Sequence, residues 1–133
     1  MQVGIRDSTY SADERGWPLQ SGVRIFSIEG FEEMGVEAVI REARRIAGDA
    51  PTCIRFDIDA FDPVFVPGTG TPEFAGLMTR EVNRMLRGLR NLNLLGADVV
   101  EVSPPLDRSA GTALAAADIA VERLCLLVES RPQ

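Results

Sequence analysis

The sequence predicts an α/β fold in which a parallel sheet carries helices on both faces. Short runs rich in β-branched residues alternate along the 133 residues with segments whose apolar positions recur at helical spacing. Strands that alternate with helices pair in parallel through right-handed crossovers. Residues 1–133 are therefore expected to form one domain or part of one.

Four segments are predicted strands. The first two are Gln2 to Arg6 and Arg24 to Ile28, which glycine and serine bound. The other two are Thr52 to Asp57 and Leu94 to Val102. A polar loop separates the first two strands, and it contains Tyr10, Asp13 and Trp17.

Three helices are predicted from apolar stripes. Gly48 ends the first, whose stripe consists of Val36, Val39, Ile40, Ala43, Ile46 and Ala47. Thr79 is the expected N-cap of the second, whose buried face consists of Val82, Met85, Leu86 and Leu89. The third runs from Gly111 to Val128, and its expected inward residues are Leu114, Ala117, Val121, Leu124 and Val128. Because this helix is apolar on most of its circumference, the chain alone is expected to self-associate.

Composition excludes several classes of function. Twenty acidic residues against 14 basic ones, with a pI near 4.7, disfavour nucleic acid and anionic membranes as partners. Every basic residue is Arg, so the chain has no Schiff-base lysine, no P-loop lysine, no Ser-His-Asp triad and no histidine-bound zinc. With no bilayer-spanning run and no signal-like start, a cytoplasmic protein is expected. Cys53 and Cys125 lack CxxC spacing and are expected to be small buried apolar residues.

Acidic residues collect in the segment RFDIDAFDP, residues 55–63. In a regular strand, Asp57 and Asp59 lie on one face and repel each other, which predicts a bound metal ion. Glu101 ends the next strand along the chain, so three carboxylates converge if the two strands are neighbours. Asp62 precedes Pro63 and is expected to form a turn, and Glu101 has the alternative of a paired surface charge. The spacing does not match a calcium-binding EF-hand loop.

Two segments resemble the ureohydrolase family, which includes arginase and agmatinase. FDIDAFDPVFVPGTGTPEFAGL is similar to the family signature, and GADVVEVSPPLD followed by TALAAADIA is similar to the next segment in the agmatinase branch. The resemblance implies a three-layer α/β/α fold, trimers or hexamers, and hydrolysis of a guanidinium group to urea and an amine at two Mn²⁺ ions. It also implies that Asp57 bridges both ions, Asp59 binds one, and Glu101 holds the substrate guanidinium. The GTGTP segment is expected to shape the pocket through its backbone.

This sequence also departs from the family pattern. It lacks the GGDHS-like and DAHxD-like segments that supply further histidines and aspartates to the metals, so it is interpreted as the C-terminal part of the family domain. We therefore expect weak metal affinity and no activity without a complementary N-terminal half. Arg55 replaces a usual Ser or Thr, and Ala75 replaces a usual Gly. Arg55 is expected on the same side as Asp57, where it would pair with the site carboxylates.

Two alternatives remain at this point. One is a non-catalytic or split-gene subunit that needs an N-terminal partner. The other is a haloacid dehalogenase-like phosphotransferase, because FDIDAF also resembles the DxD strand end of that class. The absence of lysine disfavours the phosphotransferase, which normally needs one to stabilise its phosphoaspartate.

Overall fold

The computed structural model describes residues 1–6, 16 and 20–130, and it confirms the α/β prediction. The strands are β1 (Gln2–Ile5), β2 (Ile25–Ser27), β3 (Thr52–Asp57) and β4 (Leu94–Val100). The helices are α1 (Ile28–Met34), α2 (Val36–Ala47), α3 (Thr79–Gly88) and α4 (Gly111–Glu129). Short 3-10 turns follow β3 and β4 at Ile58–Ala60 and Pro104–Leu106. The predicted loop with Tyr10, Asp13 and Trp17 lies outside the described residues.

The strands pair in parallel, as predicted, but they form two pairs instead of one continuous sheet in the part of the chain that the structure describes. β1 pairs with β2, and β3 pairs with β4. Arg6, directly after β1, donates hydrogen bonds to the carbonyls of Asp59 and Ala60, directly after β3. The carboxyl ends of the two pairs are therefore joined through one side chain.

One hydrophobic cluster packs the helices against the strands. Its buried members include Val39 of α2, Phe56 of β3, Val82 of α3 and Ile119 of α4. The α2 helix has its predicted bounds, and the N–H of Gly48 donates to the carbonyl of Arg44 at 2.8 Å to close it. Burying this apolar surface provides the main driving force for the fold.

The α3 helix begins one residue earlier than predicted. Met78 is the N-cap and Thr79 is already helical, because the Glu81 carboxylate accepts the Met78 N–H at 2.9 Å and so provides the cap. The predicted inward face is confirmed: Val82 and Leu86 are buried and the other two members are half-buried.

The α1 helix was not predicted. Its segment was assigned in part to the preceding strand, which in the structure ends at Ser27. The Ser27 hydroxyl accepts the Gly30 N–H at 3.2 Å and caps the helix, while Phe31 enters the core. Ser27 as a possible N-cap, Glu29 in the first turn and spaced apolar residues were the signal for this short helix.

The α4 helix has its predicted start and ends one residue later than predicted, but the predicted inward face is wrong. Leu114, Val121, Leu124 and Val128 are 73%, 59%, 61% and 67% exposed, and Ala117 is exposed as well. The buried residues are Thr112, Ile119, Arg123 and Leu126. Because α4 is apolar on both sides, its periodicity does not select a face, and packing against β4 and α3 does. None of the helices that the structure describes has both the length and the apolar character needed to cross a membrane.

The prediction that both cysteines are buried is wrong. Cys53 and Cys125 are exposed and unpaired with each other. Cys53 lies on the side of β3 that points away from the core, since side chains alternate along a strand, and Cys125 lies on the exposed side of α4.

Candidate functional site

Asp57 and Asp59 are brought together by a turn, not by strand alternation. Asp57 is the last residue of β3, and the chain then enters the 3-10 turn Ile58–Ala60. The Asp57 carboxylate accepts the Asp59 N–H at 3.2 Å and caps this turn. Ile58 is fully buried between the two aspartates and anchors the turn in the core. The two acids thus lie close together at the end of β3, but through a turn and not through the predicted strand alternation.

The electrostatics of Asp57 reflect its partial burial beside two other carboxylates. Burial raises the pKa of Asp57 from its ordinary value of 3.8 to about 6, and the charges of Asp59 and then Glu101 add to the effect. The Asp59 N–H opposes it by stabilising the carboxylate. A carboxylate held in an ordinary structural ion pair has its pKa lowered instead. A cation bound beside Asp57 would favour its charged form and offset these effects.

Glu101 lies at the neighbouring strand end, as predicted. In the parallel register of β3 and β4, Asp57 is opposite Val100, and Glu101 is the next residue. Its side chain is exposed, and its backbone has the left-handed φ of 64°. Among the described residues, none of the ion pairs includes Glu101, which disfavours the alternative of a paired surface charge.

The GTGTP segment contacts both strand ends. The Thr71 hydroxyl donates to the Asp59 carboxylate at 2.9 Å, and the Thr69 hydroxyl donates to the Glu101 carbonyl at 3.0 Å. At Gly68 an added Cβ would lie 2.5 Å from the Asp107 Cβ, so the predicted close approach is confirmed there. Nothing lies within 4 Å of a Cβ at Gly70. The individual roles of the two threonines were not predicted, because side-chain hydrogen bonds between distant segments leave no periodic signal.

Arg6 is a second residue that the sequence did not reveal as part of the site. Its side chain is 8% exposed, and it donates to the carbonyls of Gly4 at 3.3 Å and Ala60 at 3.2 Å and also to that of Asp59. Its Nε atom lies 3.7 Å from the Glu73 carboxylate. Arg6 therefore holds the turn that carries Asp59.

Asp62 forms the predicted turn and is not a site carboxylate. Its two oxygens accept the N–H groups of Val64 at 2.9 Å and Gly76 at 3.2 Å. These backbone hydrogen bonds lower the pKa of Asp62. At Gly76 an added Cβ would lie 2.4 Å from the Asp62 nitrogen, so the turn requires glycine there.

The expected pairing of Arg55 with the site carboxylates is wrong. Arg55 lies directly opposite Asp98 in the strand register, and its Nη2 atom is 3.0 Å from the Asp98 carboxylate. The hydrogen bond that Arg55 donates to Asp98 raises the pKa of Arg55, as does the charge of Asp98, and the charge of Asp57 adds less. Because the register supplies a closer acid, Arg55 leaves Asp57 and Asp59 available.

The described residues fit part of a manganese site. Asp57 and Asp59 supply, at one strand end, the hard carboxylate oxygens that Mn²⁺ accepts. Within residues 1–6, 16 and 20–130, no three His, Cys, Asp or Glu side chains are grouped so as to hold one ion. The pair is therefore a subset of the ligands that a complete binuclear site requires.

Comparisons with known proteins identify the relatives of this chain. The model of the arginase family matches residues 1–125. The guanidinopropionase of Pseudomonas aeruginosa is 51% identical over 98% of this chain and 41% of its own length. A mitochondrial guanidino acid hydrolase of Homo sapiens is 42% identical over 96% of this chain and 36% of its own length. The chain thus corresponds to only part of its relatives, as the sequence predicted.

The fold is also similar to that of a solved structure. Proclavaminate amidino hydrolase from Streptomyces clavuligerus has a TM-score of 0.92 and 37% identity, covering 98% of this chain and 43% of that one. This likeness confirms the arginase-like architecture. The match of the family model over residues 1–125, taken together with it, shows that the chain belongs to the arginase family.

Proposed function

We propose that this chain supplies part of the active site of a ureohydrolase that acts on a linear guanidino compound. Asp57 and Asp59 bind manganese, and Glu101 holds the substrate guanidinium. The observation that carries the proposal is the placement of Asp57, Asp59 and Glu101 at the neighbouring carboxyl ends of β3 and β4. An acidic strand end of this kind fits both a divalent metal and a guanidinium cation.

The two aspartates have complementary parts in this proposal. Asp57 and Asp59 would hold the metal through their carboxylate oxygens, and the Thr71 hydroxyl orients one oxygen of Asp59. When bound, the metal pair activates water for attack on the guanidinium carbon. The chain's own contribution is to hold these carboxylates in place before the metal arrives, through the 3-10 turn and the hydrogen bonds from Arg6.

Glu101 provides recognition of the substrate. A carboxylate accepts charge-assisted hydrogen bonds from a planar guanidinium, and these bonds fix the orientation of the group that reacts. Glu101 is exposed and forms no ion pair within the described residues, so its carboxylate is available for this purpose. Its position next to the residue opposite Asp57 sets the guanidinium beside the metal ligands.

The substrate class is a guanidinium on a short linear chain. Relatives include the guanidinopropionase at 51% identity, a guanidinobutyrase at 39% and agmatinases at 40–43%. All three names denote enzymes that act on guanidino compounds, and these compounds differ only in the tail attached to the guanidinium group. Because the first of these has the highest identity, 3-guanidinopropionate is the substrate to assay first, before 4-guanidinobutyrate and agmatine.

Residues outside this sequence complete the site in this proposal, since two carboxylates do not hold a binuclear centre. They belong either to the same polypeptide or to a complementary N-terminal half. The assembled protein is a cytoplasmic homo-oligomer of three or six copies. A non-catalytic subunit remains the second candidate, because the described residues lack a full ligand set.

Co-expression tests the proposal. The chain is produced together with the part of the Pseudomonas aeruginosa guanidinopropionase that has no counterpart in it, and urea is measured with Mn²⁺ present. We expect urea only from the combined proteins, and its loss in Glu101→Gln but not in the surface control Glu32→Gln. A well-folded complex that releases no urea would contradict the proposal and favour the non-catalytic subunit. Urea that survives Glu101→Gln would contradict the role of Glu101.

A further inference from the structure

Glu101 has a backbone conformation that its residue type does not favour. Its φ is 64°, in the left-handed region that glycine adopts readily and other residues do not. For a residue with a Cβ, this conformation costs about 1–2 kcal/mol. Such strain persists only where the surroundings impose it, so some contact must hold Glu101 in place.

The loop after β3 supplies these contacts. The Thr69 hydroxyl donates to the Glu101 carbonyl at 3.0 Å. Thr69 also forms an antiparallel bridge with Val102, and the Ser103 N–H donates to the Gly68 carbonyl at 2.8 Å. The chain that leaves β4 is thus fixed at Glu101 and at the two residues that follow it.

The loop itself is anchored deeply. Thr69 is 1% exposed and Thr112 is fully buried. The Thr112 hydroxyl, in the first turn of α4, accepts the Gly68 N–H at 2.8 Å. A buried hydroxyl without a partner costs about 1–3 kcal/mol, so the Thr69 hydroxyl is strongly held on the Glu101 carbonyl. This bond also satisfies a carbonyl that has left the strand ladder.

We propose that Thr69 is a positioning residue for Glu101: its hydroxyl, acting on the Glu101 carbonyl, holds the left-handed backbone that presents the Glu101 carboxylate at the end of β4. The functional meaning of this inference rests on the proposed guanidinium-binding role of Glu101. The structural claim stands separately, since it concerns only the conformation of residue 101.

A purely space-filling role for Thr69 predicts something different. In that case Thr69→Val, which keeps the shape and removes the hydroxyl, leaves Glu101 unchanged. If the hydroxyl positions Glu101, valine releases the backbone towards the extended region, and Thr69→Ser retains the left-handed state. Serine and alanine both lack the methyl group of threonine, and only serine keeps the hydroxyl. Thr69→Ser and Thr69→Ala are therefore the matched pair that isolates the hydroxyl.

Nuclear magnetic resonance of the full chain tests the inference. A left-handed residue gives a strong NOE between its own amide and α protons, because these are close when φ is positive. We expect this NOE at Glu101 in the wild type and in Thr69→Ser, and its loss in Thr69→Val and Thr69→Ala. The same NOE at Asn91, whose φ is 62° and which lies outside this network, serves as the internal reference. A Glu101 NOE that survives in the variants without the hydroxyl would overturn the inference.

Thermal stability gives a second test if the valine variant fails to fold. With Thr69 present, Glu101→Gly is expected to melt at a higher temperature than Glu101→Ala, because glycine relieves the strain. In the Thr69→Ala background this difference should vanish. An equal difference in both backgrounds would overturn the inference.

Titration with 3-guanidinopropionate separates the two proposals. One outcome is that the Glu101 NOE depends on the Thr69 hydroxyl but the ligand does not shift the Glu101 resonances in the assembled protein. This outcome would support the positioning role of Thr69 and contradict the proposed function. If the ligand shifts the Glu101 resonances but the NOE does not depend on Thr69, the proposed function is supported and the positioning role of Thr69 is contradicted.

Discussion

Arg6 donates a hydrogen bond to the Ala60 carbonyl at 3.2 Å, and this contact joins the end of β1 to the turn that follows β3. The same guanidinium donates to the Asp59 carbonyl. A buried arginine thus holds the backbone of a proposed metal ligand from a different strand pair.

Replacing Arg6 should destabilise the chain. Arg6→Met keeps much of the apolar length and removes one donor from three part-buried carbonyls, of which Ala60 keeps the Leu77 N–H, so we expect a loss of about 1–3 kcal/mol. Arg84→Met is the control, because Arg84 is 64% exposed in an ion pair with Glu37 and such pairs are worth about 0–1 kcal/mol. Urea denaturation measures both. Equal losses in the two variants would show that Arg6 is not a structural link.

Ala75→Gly should stabilise the chain. Ala75 has a φ of 62°, so it occupies the conformation for which the family's usual glycine is suited. Removing the Cβ relieves about 1 kcal/mol of strain. The control is Ala117→Gly, which lies within α4 and should cost about 1 kcal/mol. A loss of stability in Ala75→Gly, measured by thermal denaturation, would contradict the prediction.

Asp57 should make the metal-free chain less stable as the pH rises from about 4 to 6. Its folded pKa of about 6 lies above its ordinary value of 3.8, so the folded state binds the proton more tightly and loses this advantage on deprotonation. Asp57→Asn should therefore be more stable than the wild type at pH 7, with a gap that closes towards pH 4. Melting temperatures across this range provide the measurement.

Asp62 provides the opposite control. Backbone hydrogen bonds lower its pKa in the folded state, so its stabilising contribution is present at neutral pH and is lost as the pH falls. Asp62→Asn should be less stable than the wild type at pH 7, and this gap should also close in acid. If Asp57→Asn and Asp62→Asn change the stability in the same direction at pH 7, the opposite pKa shifts assigned to the two aspartates are wrong.

Mn²⁺ should bind weakly and through the paired aspartates. Isothermal titration of the chain is expected to show a signal that disappears in the double variant Asp57→Asn, Asp59→Asn. The affinity should fall well short of the roughly 10 kcal/mol or more of a complete structural metal site, since most of the ligands are absent. Asp49→Asn, at the opposite end of β3, is the control. If the heat of Mn²⁺ binding persists in the double variant, Mn²⁺ binds at residues other than Asp57 and Asp59.

Prediction from the sequence succeeded where a segment had one dominant pattern. Thr52–Asp57 and Val36–Ala47 were predicted with their observed bounds, because each has a clear strand or helix signal with defined ends. The face of α4 was predicted wrongly because both of its sides are apolar, and only the packed partner decides between them. Local pattern determines the element, and tertiary contact determines its orientation.

The site divides in the same way. Asp57, Asp59 and Glu101 were recognisable from their positions at strand ends and from the family resemblance. Arg6 was not, because its contact with Asp59 spans 53 residues of sequence and has no periodic signature. The left-handed backbone of Glu101 was equally inaccessible, since glutamate does not indicate a positive φ.

The exposed side of α4 carries its own chemical reporter. Cys125 lies on that side, adjacent to Val121 and Leu124, and its thiol is accessible. Alkylation of Cys125 should therefore be fast in the isolated chain and slow in any assembly that covers this face. Cys53, on the exposed side of β3, provides a separate rate for the other edge of the molecule. Labelling rates at these two thiols would map which surface a complementary half covers, before any activity is measured.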